Sequence, residues 1–390
     1  MIRVAVIFES SPFDRKGLFN AVHSRVKGLI GSGECWVDAY CVHSRDNAFT
    51  RSVRHTPKTP SADSVQVDGI TYRLLWYRFL IIDNILFDRM HCRPLFFMNF
   101  VKRAAGSLQG YDVIAAHSYT GGLIAAEASK IYGMPYFVTW HGSDVHSHPV
   151  RNPYQAKETR RIMMGAKCNF FVSEALLRAS DWLTDGADVR REVLYNGVSE
   201  DFVRFDEDDR KELRTLNKID DGVKVVAFVG NLSAVKNVRV LAQLFKETAS
   251  RYDGQLKFWV VGDGKLRSAV KSDMYSAGLT NVSFLGNVPA EDMPAVMNCI
   301  DVLVLPSFNE GLPLVCLEAL RCGANVVGSR VGGIPEIIGE ANTAVHGDGF
   351  VYAMTSRIVD MLSGDIVQTV PPQMSWSMTS EKELKIISGE

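Results

Sequence analysis

Two glutamates, Glu310 and Glu318, stand eight residues apart in the stretch SFNEGLPLVCLEAL (307–320), with almost only apolar residues between them. Pro306 ends an apolar run, DVLVLP, and the loop SFNEG follows; Pro313 falls where the first turn of a helix tolerates a missing N–H. The helix then runs to Arg321 or Cys322, with Gly323 as its stop. Glu310 lies in the loop just ahead of that helix, where the N-terminal dipole favours a carboxylate. Glu318 lies well inside, on a helix apolar nearly all round and therefore buried. An unpartnered carboxylate there is costly or takes up a proton, so it must reach solvent, pair with an arginine or meet a ligand. The free N–H groups of a helix that follows a strand attract phosphate, and Gly311 lets a diphosphate come close to the backbone. A carboxylate deeper in the helix matches the diol of a ribose. One loop-helix unit thus carries the chemistry to hold a nucleotide.

Such a unit needs a strand to aim it, and the chain supplies many. Short apolar runs alternate with helical segments: RVAVIFE (3–9), DVIAAHS (112–118), PYFVTWHG (135–142) and CNFFVSE (168–174). The pattern restarts with KVVAFVGNLS (224–233), LKFWVVGDG (256–264), NVSFLGN (281–287), DVLVLPS (301–307) and ANVVGSR (324–330). Continuous rather than alternating apolarity implies strands buried on both faces, hence parallel sheets covered by helices. Two doubly wound α/β domains follow, and 390 residues suit two ordinary domains. The charge-dense stretch 199–222, SEDFVRFDEDDRKELRTLNKIDDG, is the expected boundary. Doubly wound sheets bind ligands beyond the carboxyl ends of their strands, so two such domains facing each other make a cleft.

Bulk properties exclude several classes. Residues 1–200 hold 24 Lys and Arg against 19 Asp and Glu, and residues 201–390 hold 19 against 25. The first half is therefore mildly basic, far short of a nucleic-acid footprint, though suited to an anionic substrate or membrane surface. Seven cysteines form no C-x-x-C pair and sit mostly in apolar runs, which implies reduced, packed thiols and a cytoplasmic setting. The opening MIRVAVIFES reads as a buried strand rather than a signal peptide, and no run approaches the ~20 apolar residues of a membrane span. Membrane contact would be peripheral. No G-x-G-x-x-G opens a strand-helix unit, which argues against an NAD-dependent dehydrogenase. No cluster demands a metal; His146 and His148 are set aside as loop histidines.

These residues resemble the retaining glycosyltransferases of glycosyltransferase family 4, which have the two-domain GT-B fold. The likeness is carried by VGNLSAVKNVRVL (229–241), VVGDGKLR (260–267), FLGN (284–287) and FNEGLPLVCLEALRCGANVVGSRVGGIPEII (308–338), with its E-x7-E spacing. It is thinner over residues 1–200, resting on the opening strand, TWHGSD (139–144), VSEALL (172–177) and YNGV (195–198). The resemblance implies an acceptor-binding domain over 1–200, a nucleotide-sugar-binding domain over 201–372, and a helix over 373–390 that packs back toward the first domain.

The resemblance also implies roles. Glu318 would bind the ribose of a nucleotide-sugar donor, and Glu310 the donor sugar. Backbone groups at Gly311, Leu312 and Pro313 would meet phosphate or sugar, and Lys236 would neutralise the diphosphate leaving group. Gly230, Gly262 and Asp263 would lie along the nucleotide, with Asn287 and Val288 against its base; VVGDG (260–264) reads equally as a plain strand-helix turn. Asn231 stands where the family commonly has an arginine, so either another cation such as Arg267 or Lys265 works with Lys236 or the leaving group is stabilised less. His141, at the end of PYFVTW, matches the cleft histidine beside the donor sugar. Asp144 would orient it, meet the acceptor or cap a helix. Gly17 would allow close backbone approach to the donor, with Lys16 adding charge.

The implied reaction moves a hexose or N-acetylhexosamine to a hydroxyl acceptor, saccharide or lipid-linked, in surface polysaccharide or glycolipid synthesis at the inner face of the membrane. A UDP-sugar is the favoured donor and GDP-mannose the second, serving as co-substrate, with no cofactor and no metal. A sugar-nucleotide epimerase or hydrolase of the same fold, and a non-catalytic binding subunit, remain open. So do two readings of the aromatic and basic stretch from Trp76 to Arg103: a lipid-facing surface, or a core helix pair with solvated arginines.

Overall fold

A computed structural model describes residues 1–13, 17–44, 62–78, 80–364 and 366–389. The chain divides into two compact units, Met1–Asn196 with Ser375–Glu390, and Gly197–Met374; the breaks expected from sequence were after 200 and 372.

The first unit is built on an eight-stranded sheet: β1 (Ile2–Glu9), β2 (Cys35–Ser44), β3 (Ser64–Val67), β4 (Ile70–Tyr77), β5 (Val113–His117), β6 (Tyr136–Trp140), β7 (Cys168–Phe171) and β8 (Arg191–Val193). The order is β3-β4-β2-β1-β5-β6-β7-β8. Val4 to Phe8 of β1 are all buried, because β1 lies mid-sheet between β2 and β5 with helices on both faces. One covering helix, Gly17–Gly31, buries Phe19, Val22, Val26 and Leu29 at helical spacing. Another, Ser118–Tyr132, comes so close that a Cβ at Gly121 would lie 2.5 Å from the Ile7 carbonyl oxygen. Phe8 is fully buried in this core, where truncation to alanine costs ~3–5 kcal/mol.

One expectation is corrected at the edge. The sheet is not wholly parallel, since β3 pairs antiparallel with β4 through a tight turn at Asp68 and Gly69, both with positive φ. Asp-Gly is the residue pair that such a hairpin requires. At the other end of the chain the helix Trp376–Ser388 belongs to this unit and packs on Gly17–Gly31, with Ser380 against Gly28.

The second unit has a six-stranded parallel sheet in the order β11-β10-β9-β12-β13-β14. The strands are β9 (Lys224–Val229), β10 (Leu256–Val261), β11 (Val282–Gly286), β12 (Val302–Leu305), β13 (Asn325–Ser329) and β14 (Thr343–Ala344). The stretch expected as the boundary, 199–222, lies within this unit. Its helix Glu207–Leu216 is bound to the start of β12 by Arg210 and Arg214, which reach Asp301 at 2.9 and 3.2 Å. The sheet therefore presents the carboxyl ends of β9 to β13 as a row of loops.

Candidate active site

In the second unit those loops are stitched together by backbone contacts that only glycine allows. A Cβ at Gly262, after β10, would lie 2.1 Å from the Gly230 carbonyl oxygen after β9, and φ there is +116°. Leu232 N donates to Asp263 O at 2.9 Å, and Gly262 N donates to Gly286 O at 2.6 Å. A Cβ at Gly332, after β13, would meet the Glu310 carbonyl oxygen at 1.9 Å. The loop after β12 is pinned on its other side, where Phe308 N donates to Val235 O at 2.8 Å and His346 Nε2 approaches Ser307 O at 2.9 Å. Gly230, Asn231, Lys236, Gly262, Asp263, Asn287, Val288, Glu310, Gly311, Leu312, Pro313 and Glu318 all sit on this loop row or on the helix that opens from it.

The helix runs Leu314–Arg321 with Pro313 as its extended N-cap and Gly323 in the left-handed region just beyond. Lys236 Nζ donates to Glu310 Oε1 at 2.6 Å, and Ser307 Oγ donates to the same oxygen at 2.6 Å. This pair is unforeseen in the sequence, where Lys236 was expected to face phosphate alone. Glu318 is half-buried on its helix. Desolvation alone pushes its carboxyl up to about 7, because no hydrogen bond or cation opposes it. Arg267 Nη1 donates to Asp263 Oδ2 at 2.7 Å, so this cation is engaged within its own loop. Asn231 is exposed, with its side-chain oxygen against Gly264.

In the first unit His141 follows β6 and His117 ends β5; His117 Nδ1 and His141 Nε2 are 3.1 Å apart. Burial, then the Arg25 charge, lowers His141 to about 3, so the ring is neutral at ordinary pH. Burial, then His141 and Arg25, lowers His117 well below its usual value. Sequence reasoning missed His117, although DVIAAHS places it at a strand end just as PYFVTWH places His141. Asp144 is buried and its carboxylate accepts from Gly142 N at 2.9 Å and His141 N at 3.4 Å. It therefore orients the His141 loop. Gly17 starts its helix with open space where a Cβ would sit. Lys16 lies outside the described residues. Among the described residues no group of three or more His, Cys, Asp or Glu could hold a metal ion.

Two doubly wound α/β units with a carboxylate-bearing loop-helix at a strand end are of the GT-B class. The family model for glycosyl transferases group 1 matches residues 209–366, and that for the glycosyl transferase 4-like domain matches residues 37–197. The chain belongs to the group 1 glycosyltransferases. It is 28% identical over 252 residues to the D-inositol 3-phosphate glycosyltransferase of Pseudarthrobacter chlorophenolicus, covering 61% of this chain and 59% of that one. It is 34% identical over 146 residues to the 2-deoxystreptamine glucosyltransferase of Streptomyces kanamyceticus, covering 37% and 38%. The match to an uncharacterized glycosyltransferase of Methanocaldococcus jannaschii is 25% over 248 residues, 58% of this chain and 60% of that one. The chain thus spans about 60% of the length of the first of these curated relatives.

Two solved structures share the fold along the whole chain. Sucrose-phosphate synthase from Thermosynechococcus elongatus superposes with a TM-score of 0.71 at 17% identity, covering 99% of this chain and 95% of that one. HepE of Anabaena in complex with UDP gives 0.71 at 17% identity and covers both chains fully, 100% and 100%.

Proposed function

We propose that the chain transfers a sugar from a nucleotide diphosphate donor to a hydroxyl acceptor with retention of anomeric configuration. The observation that carries this reading is the half-buried Glu318 carboxylate, raised by desolvation and held eight residues beyond a glutamate that is already paired with a lysine. A ribose diol would offer this carboxylate two hydroxyl donors. The helix N-terminus at Leu314 and the Lys236 ammonium would hold the diphosphate and offset the charge that develops on it, so no metal is required of the reaction. UDP-sugars are the first donors to examine, in line with the UDP bound by HepE, and GDP-mannose the second.

In the proposed step the anomeric C–O bond breaks and its electron pair leaves with the diphosphate oxygen. The acceptor oxygen bonds the anomeric carbon from the same face, and its proton passes to the departing phosphate. Glu310 would stabilise positive charge on the sugar, and neutral His141 would hydrogen-bond a sugar hydroxyl. The first unit would bind the acceptor, saccharide or lipid-linked, with any membrane contact peripheral.

A panel of nucleotide sugars with and without acceptors tests this. Free nucleotide released only with acceptor, and a product whose anomeric coupling matches the donor, supports the reading. A new sugar nucleotide without acceptor would make the chain an epimerase, and binding without turnover a binding subunit.

A further inference from the structure

The helical corner between β4 and β5 leaves large apolar side chains in water. Ile81 and Ile82 are 54% and 53% exposed, Met90 59%, Leu95 56% and Phe96 51%. Soluble proteins seldom cluster such residues outside a contact surface. The corner is not loose. Phe87 packs between the rings of Tyr119 and Tyr154, while Phe97 and Phe100 pack on Tyr77. Asn152 Nδ2 donates to Phe87 O at 2.8 Å. Buried Asp83 accepts from Phe96 N at 3.1 Å and from Phe97 N at 2.8 Å, which fixes the pair Ile81 and Ile82 beside Leu95 and Phe96. Inward residues thus anchor the segment and hold the outward ones in place.

The exposed charges around this apolar face are mostly cationic, five against the single acid Asp88. Arg78, Arg89, Arg93, Lys102 and Arg103 are all exposed, whereas the acids of the same stretch are Asp88 and the buried cap Asp83. Leu95, Asn99 and Lys102, with Phe96 and Arg103, share the outer face of the helix Leu95–Gly106, so apolar tips and cations point the same way. A second copy of the chain would bring this basic face against itself, which charge repulsion opposes. An anionic bilayer offers what the face lacks: hydrocarbon for the aliphatic tips and phosphate at the depth of the guanidinium groups.

We propose that Arg78 together with the corner formed by residues 80–103 is a peripheral docking surface for an anionic lipid bilayer. It goes beyond the transfer reading and does not depend on it. No helix among the described residues is long and apolar enough to cross a membrane, so the attachment is a reversible one at the interface.

The test uses the full chain with vesicles of phosphatidylcholine, with and without phosphatidylglycerol. Cys92 lies within the corner and is exposed while the other six cysteines are buried, so an environment-sensitive thiol label reports from this site. Wild type should float with the phosphatidylglycerol vesicles alone and shift the label to the blue. Ile82→Asp and Phe96→Asp should abolish flotation with unchanged thermal midpoints, since both side chains are exposed. Arg89→Ala with Arg93→Ala should lower partitioning ~25-fold, about fivefold for each cation, and added salt should act the same way. Failure to float, equal flotation with neutral vesicles, or no response to these variants overturns the proposal. A dimer that Ile82→Asp converts to monomer, without flotation of wild type, would make the face an interface between copies and overturn it equally.

Discussion

Lys236 Nζ and Glu310 Oε1 lie 2.6 Å apart, and both side chains are largely withdrawn from water, at 22% and 10% exposure. The cation expected to meet a diphosphate is thus already engaged by the carboxylate expected to meet the sugar. A donor that binds here has to divide the pair, drawing the ammonium toward phosphate and leaving Glu310 with Ser307. The two groups should then act as one unit. Glu310→Gln should lower kcat on the order of 10²-fold with donor affinity kept or improved, because it releases Lys236. Lys236→Ala should weaken donor binding and turnover together. The double variant should lose little more than Lys236→Ala alone. Steady-state kinetics with donor titration decides it; fully additive losses would mean that the contact has no part in the reaction.

Glu318 predicts a variant that is sturdier and binds worse. Its carboxyl titrates near 7 in the folded chain against an ordinary 4.5, so the folded state holds the proton more tightly. The resulting cost to stability is absent below about 4.5, grows with rising pH and is complete above about 7. Glu318→Gln should therefore stabilise the unliganded protein at pH 8 by on the order of 1–3 kcal/mol and leave it unchanged at pH 4. It should also weaken the nucleotide by ~10–100-fold through loss of hydrogen bonds to a charged acceptor. Thermal midpoints at the two pH values and nucleotide titration read both effects. Equal midpoints at pH 8 would show that the carboxylate carries no desolvation cost.

Arg25 and Glu383 form a buried ion pair across 358 residues of sequence, 3.4 Å apart, and join the first long helix to the last. Burial is the leading influence on both, lowering Arg25 and raising Glu383, so removal from water outweighs their mutual attraction. Arg25 also donates to Leu194 O, and its Nε has no partner. Glu383→Leu should destabilise the first unit by ~3–5 kcal/mol, because it strands a buried cation. Arg25→Met with Glu383→Leu should recover most of that loss. Hydrogen exchange of the helix Trp376–Ser388 separates the cases, and a double variant no better than the single would show that the arginine is needed for its other bonds.

The parts of this molecule legible in its sequence are those written locally. Pro306, Pro313 and Gly323 punctuate a strand, a loop and a helix within eighteen residues, and the helix falls at Leu314–Arg321 as that punctuation predicts. The unbroken apolar runs marked buried strands for the same reason. Interior pairings were not legible. Lys236 and Glu310 are 74 residues apart, and nothing local to either announces the other. Arg25 occupies a helix face that reads as amphipathic, and Glu383 lies in the charged run SEKELK, so both look solvated until the helices are packed. The β3–β4 hairpin carried a usable signal in Val67-Asp68-Gly69-Ile70, masked by the polar residues around it.

The two histidines at the ends of β5 and β6 make the last prediction. With 3.1 Å between His117 Nδ1 and His141 Nε2, one ring must donate and the other accept, which is satisfied when both are neutral and fails when both are charged. Burial and the Arg25 charge enforce neutrality, holding His141 down to about 3 and His117 well below 6.5. Because the unfolded chain protonates near 6.5, it binds more protons than the folded one between there and about 3. Stability is therefore fully present above 6.5 and is lost as the pH falls through that window, by about 2 kcal/mol at pH 5 for His141 alone. His141→Asn should flatten this acid limb, and His117→Asn should flatten it further. Imidazole ¹⁵N shifts should report two neutral rings at pH 6, one tautomer each. If the transfer reading holds, neither histidine contributes an inflection near 6.5 to kcat/KM. A ring that titrates near 6.5 in the folded protein would sink this account of the pair.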